Sequence, residues 1–172
     1  MTNFFIFLKQ ELVVTAIIFI LLFVKIGART WKTATLLNFI NILLVINLAT
    51  GFIAISSGTL FGDMFRTDPL LTFEKNLLNL GVLIISLQAN HWLKDHEHIT
   101  EFYLLLLSSL LGMFFMISAH NLLMFYLGLE LSTIPLAALA NFDLHKRQSS
   151  EAAFKMIISS AFSSGLLLFG IS

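Results

Sequence analysis

Long uncharged apolar runs alternate with short polar breaks along this chain, and the run lengths predict the elements. A helix rising about 1.5 Å per residue needs about 20 apolar residues to cross the hydrocarbon of a bilayer. On that basis the pattern predicts about six spans: Leu12–Ile26, with a start as early as Phe4, then 33–55, 70–90, 102–119, 122–142 and 150–172. Gly58, Gly62, Asp63, Arg66, Asp68 and Pro69 crowd the stretch 56–69, which reads as an exposed loop or hairpin. The stretch 91–100 reads as a polar loop, His120-Asn121 as a tight turn and 143–149 as a short basic loop. The period-2 alternation of a barrel is absent, and open sheets cannot satisfy their backbone in lipid, so the predicted fold class is all-α, a polytopic transmembrane helix bundle.

Composition agrees. Hydrophobic residues make up 58% and charged residues 12% of the 172 positions, against about 25% charged in a soluble domain. With no Cys there is neither a disulfide framework nor a thiolate metal site. Formal net charge is zero, which points away from nucleic acid as a partner. No linker or low-complexity tract divides the chain, so 1–172 reads as one transmembrane domain. No small-residue cleavage site follows the first apolar run; Lys25, Arg29 and Lys32 follow instead, so that run is expected to stay as a span. Lys25, Arg29, Lys32, Lys94, Lys146 and Arg147 fall on one side of the predicted bundle, and Lys9, Arg66 and Lys75 on the other. The excess of basic residues in the first group predicts that side as cytoplasmic, with the N-terminus outside.

Nearly all charged residues fall in loops or at span ends, Glu74 and Lys75 near the start of the third span among them, and two lie deeper. Glu130 is about nine residues into the fifth, roughly 13 Å deep at the helical rise. An ionised group at that depth costs about 2.5–3.5 kcal/mol even on insertion scales, which makes an intramembrane carboxylate a functional candidate by default. The competing reading is that Glu130 only joins helices. Lys155 lies one to two turns into the sixth span, where it is near enough to the surface to snorkel. Glu151 and Lys155, four residues apart, share a helix face and can pair there. Water-bridged coupling, and no direct salt bridge, is expected between Glu130 and Lys155. Pro135 removes the partner of the Leu131 carbonyl and predicts a kink, with the Ser132 or Thr133 hydroxyl, or water, as the replacement donor. The small residues of the sixth span, from Ser149 to Gly165, predict a helix inside the bundle. His91, Asp95, His96, Glu97 and His98 fit no structural zinc spacing and read as a solvated loop. No P-loop, dinucleotide fingerprint or nucleophile elbow is present.

Three stretches carry a family resemblance: Glu101-Phe102-Tyr103 with the leucines after it, Ser118-Ala119-His120-Asn121-Leu122, and Tyr126-Leu127-Gly128-Leu129-Glu130-Leu131. With Glu151-Ala152-Ala153-Phe154-Lys155 and the Ser/Ala-rich helix that follows, they resemble the antiporter-like subunit N family of proton-pumping NADH-quinone oxidoreductase, respiratory complex I. Upstream the likeness is weaker; Asp68 and Lys75 fit the family's third span and Glu11 its first, with Gln10 where a Pro is usual. The resemblance implies the first part of a fourteen-helix antiporter-like fold in a bacterial inner membrane, working in proton translocation coupled to quinone reduction. It implies no catalytic centre and no cofactor in this chain, with NADH, FMN, iron–sulfur clusters and quinone handled by partner subunits. It also implies Glu130 as the buried glutamate of the fifth span, Glu151 and Lys155 as the acid and base opening the sixth, and Glu101 as the acid opening the fourth. The sequence stops inside the sixth span, short of the family's broken seventh helix and its lysine, so an N-terminal fragment is expected. The alternatives are a subunit of a related multisubunit cation/proton antiporter, which does not share the Glu101-Phe102-Tyr103 opening, and a non-pumping structural fragment.

Overall fold

A computed structural model describes residues 2–27, 33–53, 57–93, 96, 98–143 and 146–171. Arg29, Lys32, Lys94, Asp95 and Glu97 lie outside the described residues. The described elements are α1 (Thr2–Phe7), α2 (Lys9–Ile26), α3 (Thr33–Phe52), β1 (Gly58–Leu60), β2 (Phe65–Thr67), α4 (Pro69–Leu93), α5 (Ile99–Ser118), α6 (Leu122–Ala140) and α7 (Arg147–Ile171). The fold is an all-α membrane bundle with one small hairpin. Five helices, α3 to α7, are long and apolar enough to cross a membrane. The remaining long helix, α2, has 18 residues, which is about 27 Å of rise. All three of its charges, Lys9, Glu11 and Lys25, fall within those 18 residues.

Helix α5 is the centre of the bundle and packs on α2, α4 and α6. Its Tyr103, Leu106, Leu107, Leu110 and Phe114 form one core with Val14, Ile17 and Leu21 of α2 and Leu37, Ile40 and Leu44 of α3. These positions recur every three or four residues, the spacing of a helical stripe. The α5–α6 interface is the most extensive in the molecule, and glycine makes it possible. A Cβ on Gly112 would stand 2.4 Å from the Ser132 backbone nitrogen, and one on Gly128 would stand 2.7 Å from that of Met116. The two backbones therefore touch, the close approach that small residues permit between membrane helices. Helix α7 packs chiefly on α6 and leaves Phe154, Ile157, Ile158, Phe162 and Phe169 exposed. Of its small residues only Ala153 and Ser164 are buried among the described residues, so α7 lies at the edge of the described bundle where an interior helix was expected.

The hairpin is more than an exposed loop. Leu60 pairs with Phe65 across a turn that holds Phe61, Gly62 and Asp63 at positive φ. Glycine adopts that conformation freely and aspartate tolerates it, whereas phenylalanine is strained there. The tip is tied down from below: the His120 backbone N–H donates to the Met64 carbonyl at 2.9 Å, and His120 Nδ1 lies 3.0 Å from the Asp63 carbonyl. Phe65 is fully buried. At the other end of the bundle α4 continues to Leu93 and α5 begins at Ile99, which shortens the polar loop expected over 91–100. Aromatic contacts of Trp92 with His96, Phe102 and Phe142 seal this end.

Candidate functional site

Glu130 is the ninth residue of α6, near the middle of a 19-residue helix, and is half-buried. Gly128 and Ser132 face α5, so at 100° per residue Glu130 falls on the opposite side. It shares that side with Leu123, Leu127 and Ile134, all exposed. A half-buried carboxyl group thus stands in a largely apolar stripe that the described residues cover only in part, Ala137 on the same side being buried. No ion pair to Glu130 forms among the described residues.

Helix α6 runs unbroken through Pro135. The hydroxyls near the proline do not serve the Leu131 carbonyl, as the sequence suggested. Ser132 Oγ and Thr133 Oγ1 both donate to the Leu129 carbonyl at 2.9 Å. The reason is geometric: a helical Ser or Thr reaches back three or four residues, and Leu131 is only one or two behind.

Glu101 opens α5. Its Oε1 accepts from Lys25 Nζ at 2.6 Å and lies 3.2 Å from His98 Nδ1, which ties the end of α2 to the start of α5. Its other carboxylate oxygen is buried without a partner among the described residues. Glu101 and His98 line a cleft of about 360 Å³ together with Ala137 of α6, Asn141 just past its end, and Ala153 and Ile157 of α7. The cleft therefore joins three helices that carry predicted site residues. Ala137 lies seven residues beyond Glu130, about 10 Å along the helix axis. Lys155 pairs with Glu151 at 2.6 Å, and their side chains are 72% and 58% exposed. The structure does not bring this pair to Glu130 directly.

The most enclosed charges among the described residues are Lys75 and Glu11, whose pairing was not expected from the sequence. Lys75, expected near the start of the third span, lies inside α4 with a side chain 1% exposed, 2.5 Å from Glu11 Oε1, whose side chain is 3% exposed. Burying either charge alone would cost several kcal/mol, and the partner 64 positions away supplies the compensation. Lys75 Nζ also lies 5.2 Å from the Phe65 ring centroid, a cation–π contact from the hairpin. Gln10 Nε2 donates to Asn76 Oδ1 at 2.6 Å, and Asn79 Nδ2 donates to the Leu44 carbonyl at 3.1 Å. Deeper along the same face of α4, Ser86 Oγ donates to Asn41 Oδ1 at 2.5 Å and bonds the Tyr103 hydroxyl at 2.8 Å. The signal was present as a period: Thr72, Lys75, Asn76, Asn79 and Ser86 recur at helical spacing and are buried. Leu70, Phe73, Leu77, Leu80 and Ile84 on the other face are exposed.

Residues 119–172 match a family described as NADH:quinone oxidoreductase/Mrp antiporter, TM. The chain is 41% identical over 172 aligned residues to a protein of Phocaeicola vulgatus named NADH-quinone oxidoreductase subunit N, covering 96% of this chain and 35% of that protein. It is 39% identical over 180 aligned residues to the protein of that name from Azobacteroides pseudotrichonymphae, covering 98% of this chain and 36% of that one. With the Pelagibacter ubique protein of that name the identity is 42% over 115 aligned residues, 66% of this chain and 24% of the relative. The chain spans about a third of the length of the first two relatives.

Proposed function

Since the chain belongs to the NADH-quinone oxidoreductase subunit N family, we propose that it takes part in proton translocation coupled to quinone reduction, with Glu130 as a proton-carrying group. One observation carries this reading: Glu130 stands mid-helix and half-buried in a largely apolar stripe of α6, facing away from α5. A charge there is too costly to leave against lipid, so the stripe calls for a covering helix that supplies water or a cationic partner. In such a setting the carboxyl changes protonation as its partner approaches or withdraws, which is the property a proton path needs.

The cleft beside Glu101 supports an approach from the Lys25 end of the bundle. Protons would reach Glu101 from solvent near His98, pass between α6 and α7 along Ala137, and arrive at Glu130. Glu151 and Lys155 flank this route on α7. The basic loops at that end make it the cytoplasmic side, in a bacterial inner membrane with the N-terminus outside. This chain contributes no redox chemistry to the reading; NADH oxidation and quinone reduction belong to neighbouring subunits of the complex.

The test is proton uptake by inverted membrane vesicles during NADH oxidation, with the full-length protein in its complex. Glu130→Gln is expected to impair pumping and Glu130→Asp to retain part of it. Full pumping by the Gln variant would refute a proton-carrying role.

A further inference from the structure

The polar cage around Glu11 and Lys75 is incomplete in a way that specifies what fills it. Four buried atoms there lack a hydrogen-bond partner among the described residues: Glu11 Oε2, Asn79 Oδ1, and both Oδ1 and Nδ2 of Asn47. Asn47 and Asn79 are fully buried. They lie at one level of the bundle. Glu11 bonds Lys75, and Asn79 is one turn further along α4. Asn79 reaches the Leu44 carbonyl, and Asn47 is one turn along α3 from Leu44. Gly51, one turn further again, lies directly under Asn76, where a Cβ would stand 1.9 Å from Asn76 Oδ1. Rotating the Asn47 amide leaves the need unchanged, because both of its atoms are without partners. Asn79 is already oriented by its donation to Leu44.

Each unmet group of this kind costs about 1–3 kcal/mol when dry, and more for a carboxylate. The demand is for three acceptors and one donor to be met together. A metal cation would suit the oxygens but leaves Asn47 Nδ2 unmet, and Lys75 already neutralises Glu11. An anion would meet Nδ2 and leave the three acceptor oxygens unmet. Water both donates and accepts, and two to four polar partners are what a buried water takes.

We propose that Glu11, Asn47 and Asn79 bind ordered water, forming a hydrated ionic site between α2, α3 and α4 that is separate from Glu130. The Phe65 ring over Lys75 is its roof on the hairpin side. The bound water therefore exchanges slowly with solvent.

Radiolytic hydroxyl labelling read by mass spectrometry, after rapid mixing into 18O-labelled water, tests this on the full-length protein in membranes. Water at the cage should label the neighbouring apolar residues Val14 and Leu44, with 18O arriving there later than at surface positions. Asn47→Leu should cut that labelling several-fold, while Asn38→Leu at an exposed position of the same helix should not. Phe65→Ala should bring the 18O in earlier. Absence of labelling at Val14 and Leu44 in the wild-type protein overturns the proposal without reliance on any variant. Labelling that disappears when sodium replaces choline would assign the site to a cation and overturn it equally.

Discussion

The two halves of this bundle handle intramembrane charge in opposite ways. In the α2–α4 half, Glu11 and Lys75 are the most enclosed charges and meet each other inside the protein. In the α5–α7 half, Glu130 has no ionic partner among the described residues and Glu151–Lys155 lies on an exposed face. The α4 helix turns its polar face inward and its apolar face outward, the arrangement of a helix that has found its neighbours. The α6 helix does the reverse at Glu130, presenting a polar group where its covering is still required. A satisfied pair stabilises, whereas a group whose partner comes and goes can change protonation. On the proposed reading, Glu11 is the carboxylate that holds and Glu130 the one that exchanges.

The largest effect should come from breaking the satisfied half. Lys75→Met leaves Glu11 buried and uncompensated, a change that costs about 3–5 kcal/mol where measured in other buried pairs. Thermal unfolding in detergent should show that loss, and adding Glu11→Gln to it should recover much of the stability. If the single and double variants unfold alike, the pair does not act as a unit.

Next in size is the contact that holds the α5–α7 half together. A Cβ on Gly112 meets α6 backbone and not a flexible side chain, so Gly112→Ala forces the helices apart. Overpacking of this kind costs about 1–3 kcal/mol. Because Ser132 and Glu130 ride on the same helix, proton pumping should fall along with stability. Unchanged pumping in a clearly destabilised Gly112→Ala protein would show that the α5–α6 register does not set the position of Glu130.

These contrasts were only partly legible in the sequence. The helices followed from run length, because lipid leaves the backbone no other solution. The turn at His120-Asn121 was equally readable, and the structure adds that Asn121 caps α6 by accepting from the Met124 N–H at 2.8 Å. The Glu11–Lys75 pair was not. It joins residues 64 positions apart, and each lies near a predicted span end, where a charge looks like a loop charge. Only the periodic recurrence of polar residues along α4 signalled a buried polar face. The destinations of the Ser132 and Thr133 hydroxyls were misjudged because reach along a helix was not weighed against need. The hairpin's anchoring depended on His120, distant in sequence and close in space.

A smaller effect tests how far the polar face of α4 extends. Tyr103 is fully buried, with its hydroxyl on Ser86, which in turn bonds Asn41. Tyr103→Phe removes one donor–acceptor link and should cost about 1 kcal/mol. Double-mutant analysis with Ser86→Ala is the appropriate measurement, since neighbours in one network are not additive. Additive losses would mean that the three groups are separate contacts.

The smallest stability change is expected at Lys155. Its pair with Glu151 is an exposed i,i+4 contact, worth about 0.3–0.5 kcal/mol in a helix. Lys155→Ala should therefore leave unfolding almost unmoved. If α7 borders the proton route beside Glu130, pumping should nevertheless fall, though less than in Glu130→Gln. That separation of the two readouts matters more than either alone. A stability loss matching that of Lys75→Met would place Lys155 with the satisfied charges, against the contrast drawn between the two halves. No loss of pumping would leave it a snorkelling lysine whose stem lies along α7 and whose ammonium serves only the interface.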